Sequence, residues 1–250
     1  MVKRLAALVV LLASGVCLAK VHPRFEPTDL ELEHSGVMEI DLQLGPVKGP
    51  GASRIVSPDL ELDLGLVDGV ELDLDDAFAA EGAGGRRFFD HKSLDNLWLS
   101  AKVGLYDAHD DHRSWALGVQ VGPKLPLATG AQGIGVEGLL LIGFMTGPLH
   151  LVGQVGGLVD PHSGDAARPF GPEAGLDLEY ELVPDRWSLL GELGAVWYHT
   201  SDPNQLAVTA GIQYSPTQTL DVSIVGLVGL APGSDPYGLL LGISPKLTLW

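Results

Sequence analysis

Residues 57–74 read SPDLELDLGLVDGVELDL, in which aliphatic and acidic residues alternate on both sides of a short turn. Successive residues of a β-strand point to opposite faces of the sheet. The stretch therefore predicts a hairpin with one aliphatic face and one acidic face. The aliphatic residues are Leu60, Leu62, Leu64, Leu66, Val70, Leu72 and Leu74, and the acidic ones are Glu61, Asp63, Glu71 and Asp73.

The same split occurs in two further segments. In Val37–Leu44 the residues Glu39 and Asp41 face away from the aliphatic positions, as Asp177 and Glu179 do in Gly175–Leu182. Eight more segments are predicted strands, which brings the number to about twelve: Asn96–Tyr106, Ser114–Leu125, Gly133–Met145, Leu149–Leu158, Trp187–His199, Gln205–Tyr214, Leu220–Leu230 and Tyr237–Trp250. Many approach the roughly 9–11 residues with which a tilted strand crosses a bilayer.

The connections between these segments alternate between short and long. Tight turns are predicted around Asp68, Gly147, Asp185 and Thr217, and longer connections at 45–53, 78–95, 127–132, 159–169 and 231–236. Barrels of the outer membrane have short periplasmic turns and longer outside loops. The sequence thus predicts an all-β fold: a single closed antiparallel transmembrane β-barrel of about twelve strands, with up-and-down topology, over residues 37–250.

The first 19 residues have the composition of a secretory signal. Lys3 and Arg4 precede the short apolar run Leu5–Val16, and Ala19 ends a small-residue cleavage site. The run is shorter than the roughly 20 residues of a spanning helix. We therefore expect cleavage after Ala19, a short N-terminal periplasmic segment over residues 20–36, and location in the bacterial outer membrane.

Composition excludes several classes of function. The net charge of −17 would repel nucleic acid. Cys17 is the only cysteine, so the mature chain would have no disulfide and no thiolate chemistry. Hydrophobic residues make up 46% of the chain, but beyond the leader no apolar run has the length of a spanning helix. No sequence motif indicates a cofactor.

The inward acids are the first candidate site. Rings of carboxylates favour cations in pores, so the sequence predicts a cation-favouring, lumen-lining wall made of Glu39, Asp41, Glu61, Asp63, Glu71, Asp73, Asp177 and Glu179. Lys102 and Lys124 share the inward parity of their strands and would neutralise part of this charge. The alternative is that these acids simply fill a wet interior, which is polar in such barrels.

Barrel size and small residues bear on whether the lumen is open. Eight strands leave an interior that side chains can fill, and sixteen leave an open channel. Twelve strands therefore predict a narrow pore or a ligand tunnel and not a wide porin. Inward glycines would widen it: Gly104, Gly118, Gly122, Gly194 and Gly211.

The tryptophans lie at or near the ends of predicted strands. Trp115, Trp187, Trp197 and Trp250 suit the lipid headgroup level, although ordinary core packing is the alternative for each. Trp98 has inward parity and does not fit this pattern.

Two other groups could carry chemistry. His109–His112 contains imidazole and carboxylate groups that suit a divalent metal, but a solvated turn is the favoured interpretation, so no metal site is predicted. Ser188, Glu192 and His199 could form a hydrolase site only if the fold brought them together, because no known catalytic motif contains them.

Three stretches together resemble the outer-membrane proteins associated with phenol degradation by the meta pathway, a transporter-like β-barrel family. They are SPDLELDLGLVDGVELDL at 57–74, NLWLSAKVGLY at 96–106 and WALGVQVGPKLPLATG at 115–130. In the last stretch Leu127 and Ala128 interrupt that family's Leu-Pro-Thr-Gly turn. The resemblance implies passage of small hydrophobic or aromatic compounds and no catalytic residues.

The sequence therefore predicts a passive outer-membrane channel for small solutes, hydrophobic or aromatic ones in particular. Its expected partners are outer-membrane lipids, the solutes and the outer-membrane assembly machinery. That machinery recognises a C-terminal aromatic such as Trp250, but Lys246 and Thr248 occupy positions that are normally apolar, which requires either a register shift near Pro245 or the absence of this signal. The alternatives are an outer-membrane enzyme acting on lipids, a non-transporting structural or adhesion barrel, and a soluble secreted β-protein.

Overall fold

The computed structural model describes residues 32–48, 53–82, 91–94, 96–109, 113–127, 131–163, 168–200 and 203–250. Within these residues the chain is all-β, and no helix has the length and apolar character needed to cross a membrane. Twelve long strands make up the body: β1 (Val37–Lys48), β2 (Ser53–Val67), β3 (Val70–Gly82), β5 (Leu97–His109), β6 (Arg113–Leu125), β8 (Gly135–Thr146), β9 (Leu149–Val159), β11 (Phe170–Val183), β12 (Trp187–Val196), β13 (Gln205–Thr217), β14 (Leu220–Gly229) and β15 (Tyr237–Thr248). Three short strands lie outside it: β4 (His91–Leu94) pairs with the end of β3, and β7 (Ala131–Gln132) pairs with β10 (His162–Ser163).

The twelve long strands form a closed antiparallel barrel. Each pairs with the long strand that precedes it in the chain, and β15 pairs with β1 to complete the ring. The predicted architecture of twelve strands in up-and-down order is therefore confirmed. Closure leaves no unpaired edge among the twelve long strands, which is the condition for a sheet to sit in lipid.

Connections at one end of the barrel are tight and those at the other end are longer, as predicted. We call them the short-turn end and the long-loop end. Gly69 and Gly147 adopt φ values of 83° and 54° in two-residue turns at the short-turn end, a backbone region that glycine enters without steric cost. The start of β1 and the end of β15 both lie at this end, since the number of long strands is even.

Along the described strands, the outer surface is formed largely of exposed aliphatic side chains, which we call the outer belt. Strand positions such as Val155, Leu178, Ile224 and Leu241 expose between 39% and 51% of their surface. Soluble monomers rarely expose a contiguous apolar patch beyond a few hundred Å². The leucines of residues 60–74 alternate with inward acids and lie on this outer side, so they do not form a protein core.

The inner face holds most of the polar residues and also an apolar part. On β8 the residues Leu139 and Leu141 are buried inside, while Leu140 and Ile142 between them are exposed on the outer belt. Both faces of β8 are apolar at this level, so the run Leu139–Ile142 shows no alternation of polar and apolar residues in the sequence. The strand itself is nevertheless regular.

Candidate functional site

Six of the predicted acids are neighbours on the inner face of β1, β2 and β3. Strand register places Glu39 opposite Asp63 and Asp41 opposite Glu61, and it places Asp63 opposite Asp73. Glu39, Asp41, Asp63, Glu71 and Asp73 are buried, and Glu61 is partly buried. We call these six residues the acidic wall. They lie close together because inward positions at the same level of three adjacent strands are all acidic.

Lys102 on β5 faces one side of the acidic wall. Its Nζ atom lies 2.6 Å from Glu71 Oε1 and 4.0 Å from Asp73 Oδ2, and the lysine is almost completely buried. Ser100 Oγ and Gln120 Nε2 also donate hydrogen bonds to Asp73 Oδ2, at 3.1 and 2.7 Å. Lys102 therefore neutralises part of the wall, in the place that strand parity predicted.

A second lysine, Lys246 on β15, lies against the other side of the wall. Its Nζ atom lies 2.8 Å from Glu39 Oε2 and 2.5 Å from Glu33 Oε1. The sequence pattern marks Lys246 only as an irregularity of the C-terminal strand. The ladder between β14 and β15 continues without a shift through Pro245, so the inward direction of Lys246 follows from regular alternation.

Residues 32–36, which precede the first strand, reach into the barrel at the short-turn end. Glu33 is buried, and its backbone N–H donates to Glu71 Oε2 at 2.5 Å. Glu33 and His34 carbonyl oxygens lie so close to Gly65 that a Cβ there would be 2.2–2.4 Å from them. Sequence reasoning missed Glu33 because this residue precedes the first strand. The alternation that shows which face a strand residue occupies does not extend to it.

Lys124 points inward as predicted, but its partners are not the acids that were named. Its Nζ atom lies 2.7 Å from Glu137 Oε2 and 3.0 Å from Asp160 Oδ1, near the long-loop end. Tyr198 donates a hydrogen bond to Asp160 Oδ2 at 3.1 Å. Burial and the neighbouring Asp160 carboxylate raise the pKa of the Tyr198 phenol. Lys124 therefore pairs with carboxylates outside the acidic wall, because it lies one strand beyond Lys102 and Glu137 is on the next strand, β8.

Asp177 and Glu179 lie on β11, which four strands separate from β1 along the sheet. Glu179 Oε1 accepts a hydrogen bond from Ser188 Oγ at 2.5 Å, and its Oε2 lies 3.6 Å from His150 Nδ1. Asp177 is opposite Glu192, whose carboxylate accepts a hydrogen bond from Thr209. Asp177 and Glu179 thus lie on a different part of the barrel wall from the other six predicted acids.

Apolar side chains occupy two other parts of the interior. Trp98, Leu139 and Leu141 form one buried cluster, and Leu190, Val225 and Leu240 form a second. Trp98 therefore differs from the other tryptophans because its ring packs inside the barrel. A solute that passed through would meet carboxylates on one side and hydrocarbon on another.

The inward glycines differ in what surrounds them. A Cβ on Gly122 or Gly211 would lie 2.0 or 2.5 Å from a neighbouring backbone oxygen, so these two glycines allow strands to approach closely. The space beside Gly104 is filled by the side chain of Leu32. At Gly194 a Cβ would meet only Glu192 Oε1, at 3.3 Å, so this glycine leaves space in the interior.

The four tryptophans predicted for the membrane interfaces are exposed and lie near the two rims. Trp115 is at the short-turn end and contacts Phe144, with ring centroids 4.4 Å apart, and Trp187 contacts Tyr214 at 4.6 Å. Trp250 lies beside Gly36 at the same end, and Trp197 follows β12 at the long-loop end. Aromatic side chains at these levels form girdles in outer-membrane barrels.

The residues considered for catalysis are not brought together. Ser188 is the second residue of β12, and His199 lies beyond the other end of that strand. The part of the strand from Ser188 to Val196 alone spans about 26 Å at about 3.3 Å per residue. His199 instead contacts Phe170, with ring centroids 5.5 Å apart. Of His109–His112, the residues Asp110, Asp111 and His112 lie outside the described part of the chain, as does the predicted leader.

Solved outer-membrane barrels share this fold at low sequence identity. The COG4313 outer membrane channel from Pseudomonas putida F1 matches with a TM-score of 0.62 and 14% identity, over 90% of this chain and 100% of that chain. The NanC porin matches with a TM-score of 0.55 and 14% identity, over 83% of this chain and 100% of that chain. No protein-family model and no curated protein sequence matches the chain. The similarity is one of fold.

Proposed function

We propose that this protein is a bacterial outer-membrane channel that lets small solutes pass by diffusion. One observation carries the proposal: a closed barrel exposes hydrocarbon outward and encloses ionic and polar groups, the inverse of a soluble protein. Lipid-facing and interior residues alternate in this way along the strands of membrane barrels. The two structures of similar fold named above are described as a channel and a porin, which supports the same conclusion.

We propose small hydrophobic or aromatic compounds as the solutes. The cluster of Trp98, Leu139 and Leu141 supplies hydrocarbon inside the barrel, where a purely polar pore would have none. The sequence resemblance to outer-membrane proteins of phenol degradation supports the same solute class. For ions, the acidic wall favours cations over anions.

The leader, the membrane and the assembly route belong to this proposal as well. Residues 1–19 are removed after Ala19, and the barrel is inserted into the outer membrane by its assembly machinery. Mass spectrometry of the protein purified from outer membranes tests the first point, since the mature chain should begin at Lys20.

A second function is supported by the filling of the interior. Gln120, Leu141 and Glu71 are almost completely buried inside the barrel, and Glu33 enters from the short-turn end. A barrel that serves only as a structural element would have such an interior and would not conduct.

Reconstitution separates the two functions. Purified full-length protein in planar bilayers should give discrete cation-selective current steps, and liposomes that contain it should take up an aromatic solute such as phenol faster than empty liposomes. Absence of both current steps and solute uptake, from protein that is folded by the heat-shift test on gels, would favour the structural barrel.

A further inference from the structure

Asp63 belongs to two groups of carboxylates inside the barrel. One carboxylate oxygen from each of Asp41, Glu61 and Asp63 lies within 4.8 Å of the other two, and the same holds for Asp63, Glu71 and Asp73. The short distances follow from register, because Asp63 pairs with Asp73 on β3 and lies beside the Asp41–Glu61 pair. Like charges this close repel strongly wherever water is scarce.

The burial of Asp63 is a separate observation that points to a ligand. The residue exposes 8% of its surface, and its Oδ1 atom has no hydrogen-bond partner among the described residues. Asp73 Oδ1 also has no hydrogen-bond partner among the described residues, and Asp73 exposes 2% of its surface. By contrast, Glu71 accepts from both Lys102 and the Glu33 backbone. Buried carboxylates normally have partners or coordinate metals, so the oxygens of Asp63 and Asp73 mark a place for a positive charge.

We propose that Asp41, Glu61 and Asp63 bind a Ca²⁺ ion on the inner face of the barrel, with Asp73 beside it. Ca²⁺ takes oxygen ligands at 2.3–2.6 Å, so two ligands on opposite sides of the ion can be about 5 Å apart. The 4.8 Å limit on the oxygen separations falls within this span. The three carboxylates provide hard oxygen ligands, which suit Ca²⁺ and not the softer transition metals. Water completes the coordination, because Ca²⁺ takes six to eight ligands.

Lys102 does not take the place of the ion. It approaches the wall from the β5 side, where it is paired with Glu71 at 2.6 Å and is 4.0 Å from Asp73. Asp41 and Glu61 lie on the opposite side of Asp63, on β1 and β2. Among the described side chains, two lysines, Lys102 and Lys246, face the six carboxylates of the acidic wall. The ion would add positive charge to this predominantly negative group, and it would hold β1 to β2 from inside the barrel. This site goes beyond the proposed channel function and does not depend on it.

Calcium titration calorimetry tests the proposal on the purified full chain. The protein is folded in detergent micelles free of lipopolysaccharide, stripped with a chelator and titrated with CaCl₂ in 100 mM KCl. We expect one saturable site with a Kd on the order of 10⁻⁴ M, a value typical of sites outside the cytosol. Asp63→Asn should weaken binding at least about tenfold, since it removes one of three charged ligands. The matched control is Glu192→Gln, an interior carboxylate that lies outside this group and accepts from Thr209; it should bind as the unaltered protein does.

Three results would overturn the site: no saturable binding to the unaltered protein, unchanged binding by Asp63→Asn, or equal loss in Glu192→Gln. If Asp63→Asn does not fold by the heat-shift test, Glu61→Gln replaces it, because Glu61 is less buried and supplies another ligand. The binding measurement needs no conducting pore, so it can fail or succeed independently of the channel proposal.

Discussion

Lys246 Nζ lies 2.5 Å from Glu33 Oε1, an ion pair between residues 213 positions apart in the chain. It joins the last strand of the barrel to the residues that precede the first strand. Both partners are buried, and Lys246 also pairs with Glu39. The N-terminal segment is therefore held inside the barrel by charge as well as by the hydrogen bond from Glu33 N–H to Glu71.

Lys246→Met should release this segment. Removing one partner of a buried ion pair costs about 3–5 kcal/mol, because the remaining charge stays buried and uncompensated. Glu33 would then be more stable in water than inside the barrel. The measurement is maleimide labelling of Leu32→Cys in a chain with Cys17→Ser, and the rate should rise at least about tenfold, equivalent to ~1.4 kcal/mol. Lys246→Arg keeps the charge and should label slowly. Equal rates in all three chains would mean that the ion pair does not hold the segment.

Neutralising Glu61, Asp63, Glu71 and Asp73 together, as Gln and Asn, should reduce cation preference. These side chains supply much of the negative charge around Lys102, and carboxylates in a pore favour cations. In a KCl gradient across a planar bilayer the reversal potential should move toward zero. The control is the pair Asp68→Asn and Asp185→Asn, which removes charge from exposed turns at the short-turn end. An unchanged reversal potential in the fourfold variant would contradict a cation-favouring wall.

Leu139→Ser combined with Leu141→Ser should slow aromatic solutes more than polar ones. Both side chains lie in the interior cluster with Trp98, and the change replaces hydrocarbon with hydroxyl groups. A loss of about 1 kcal/mol of apolar contact should lower the ratio of phenol uptake to the uptake of a sugar of similar size about fivefold. Leu139→Ala with Leu141→Ala also shortens both side chains but keeps them apolar, so it should preserve more of the ratio. If both double variants change the uptake ratio by the same factor, the width of the lumen and not apolar contact governs passage.

Ile224→Lys tests whether the outer belt faces lipid. Ile224 is in the middle of β14 and is 46% exposed on the outer face. A lysine near the bilayer midplane costs about 2–4 kcal/mol, and the cost falls to about 0–1 kcal/mol near the interface. Chemical unfolding from lipid vesicles should show this loss for Ile224→Lys, whereas Leu230→Lys, in the connection after β14, should lose little. A soluble protein with an exposed Ile224 would tolerate both changes equally.

Much of the architecture could be predicted because alternation depends on local sequence. The acids of residues 61–73 alternate with leucines, and a strand offers only two faces, so their inward direction followed at once. The even number of strands and the order of short and long connections came from the same pattern. These features require no knowledge of which residues meet across the barrel.

Contacts across the barrel could not be predicted in this way. The alternation of residues along β6 assigned Lys124 to the interior. Only the register between β6 and β8 places it beside Glu137. The run Leu139–Ile142 concealed its alternation because its inward residues are as apolar as its outward ones. Glu33 lies before the first strand, where no periodic pattern exists to indicate its direction.

Pairing of β1 with β15 has a consequence for biogenesis. This seam joins the two ends of the barrel sequence, so a nascent chain that lacks its final strand has two open edges, on β1 and on β14. The backbone amides that point outward from these edges, on alternate residues, would be unsatisfied in lipid. Productive insertion must therefore await release of the complete polypeptide. The Glu33–Lys246 contact can form only after β15 has paired with β1, so its presence distinguishes the closed barrel from an incomplete one.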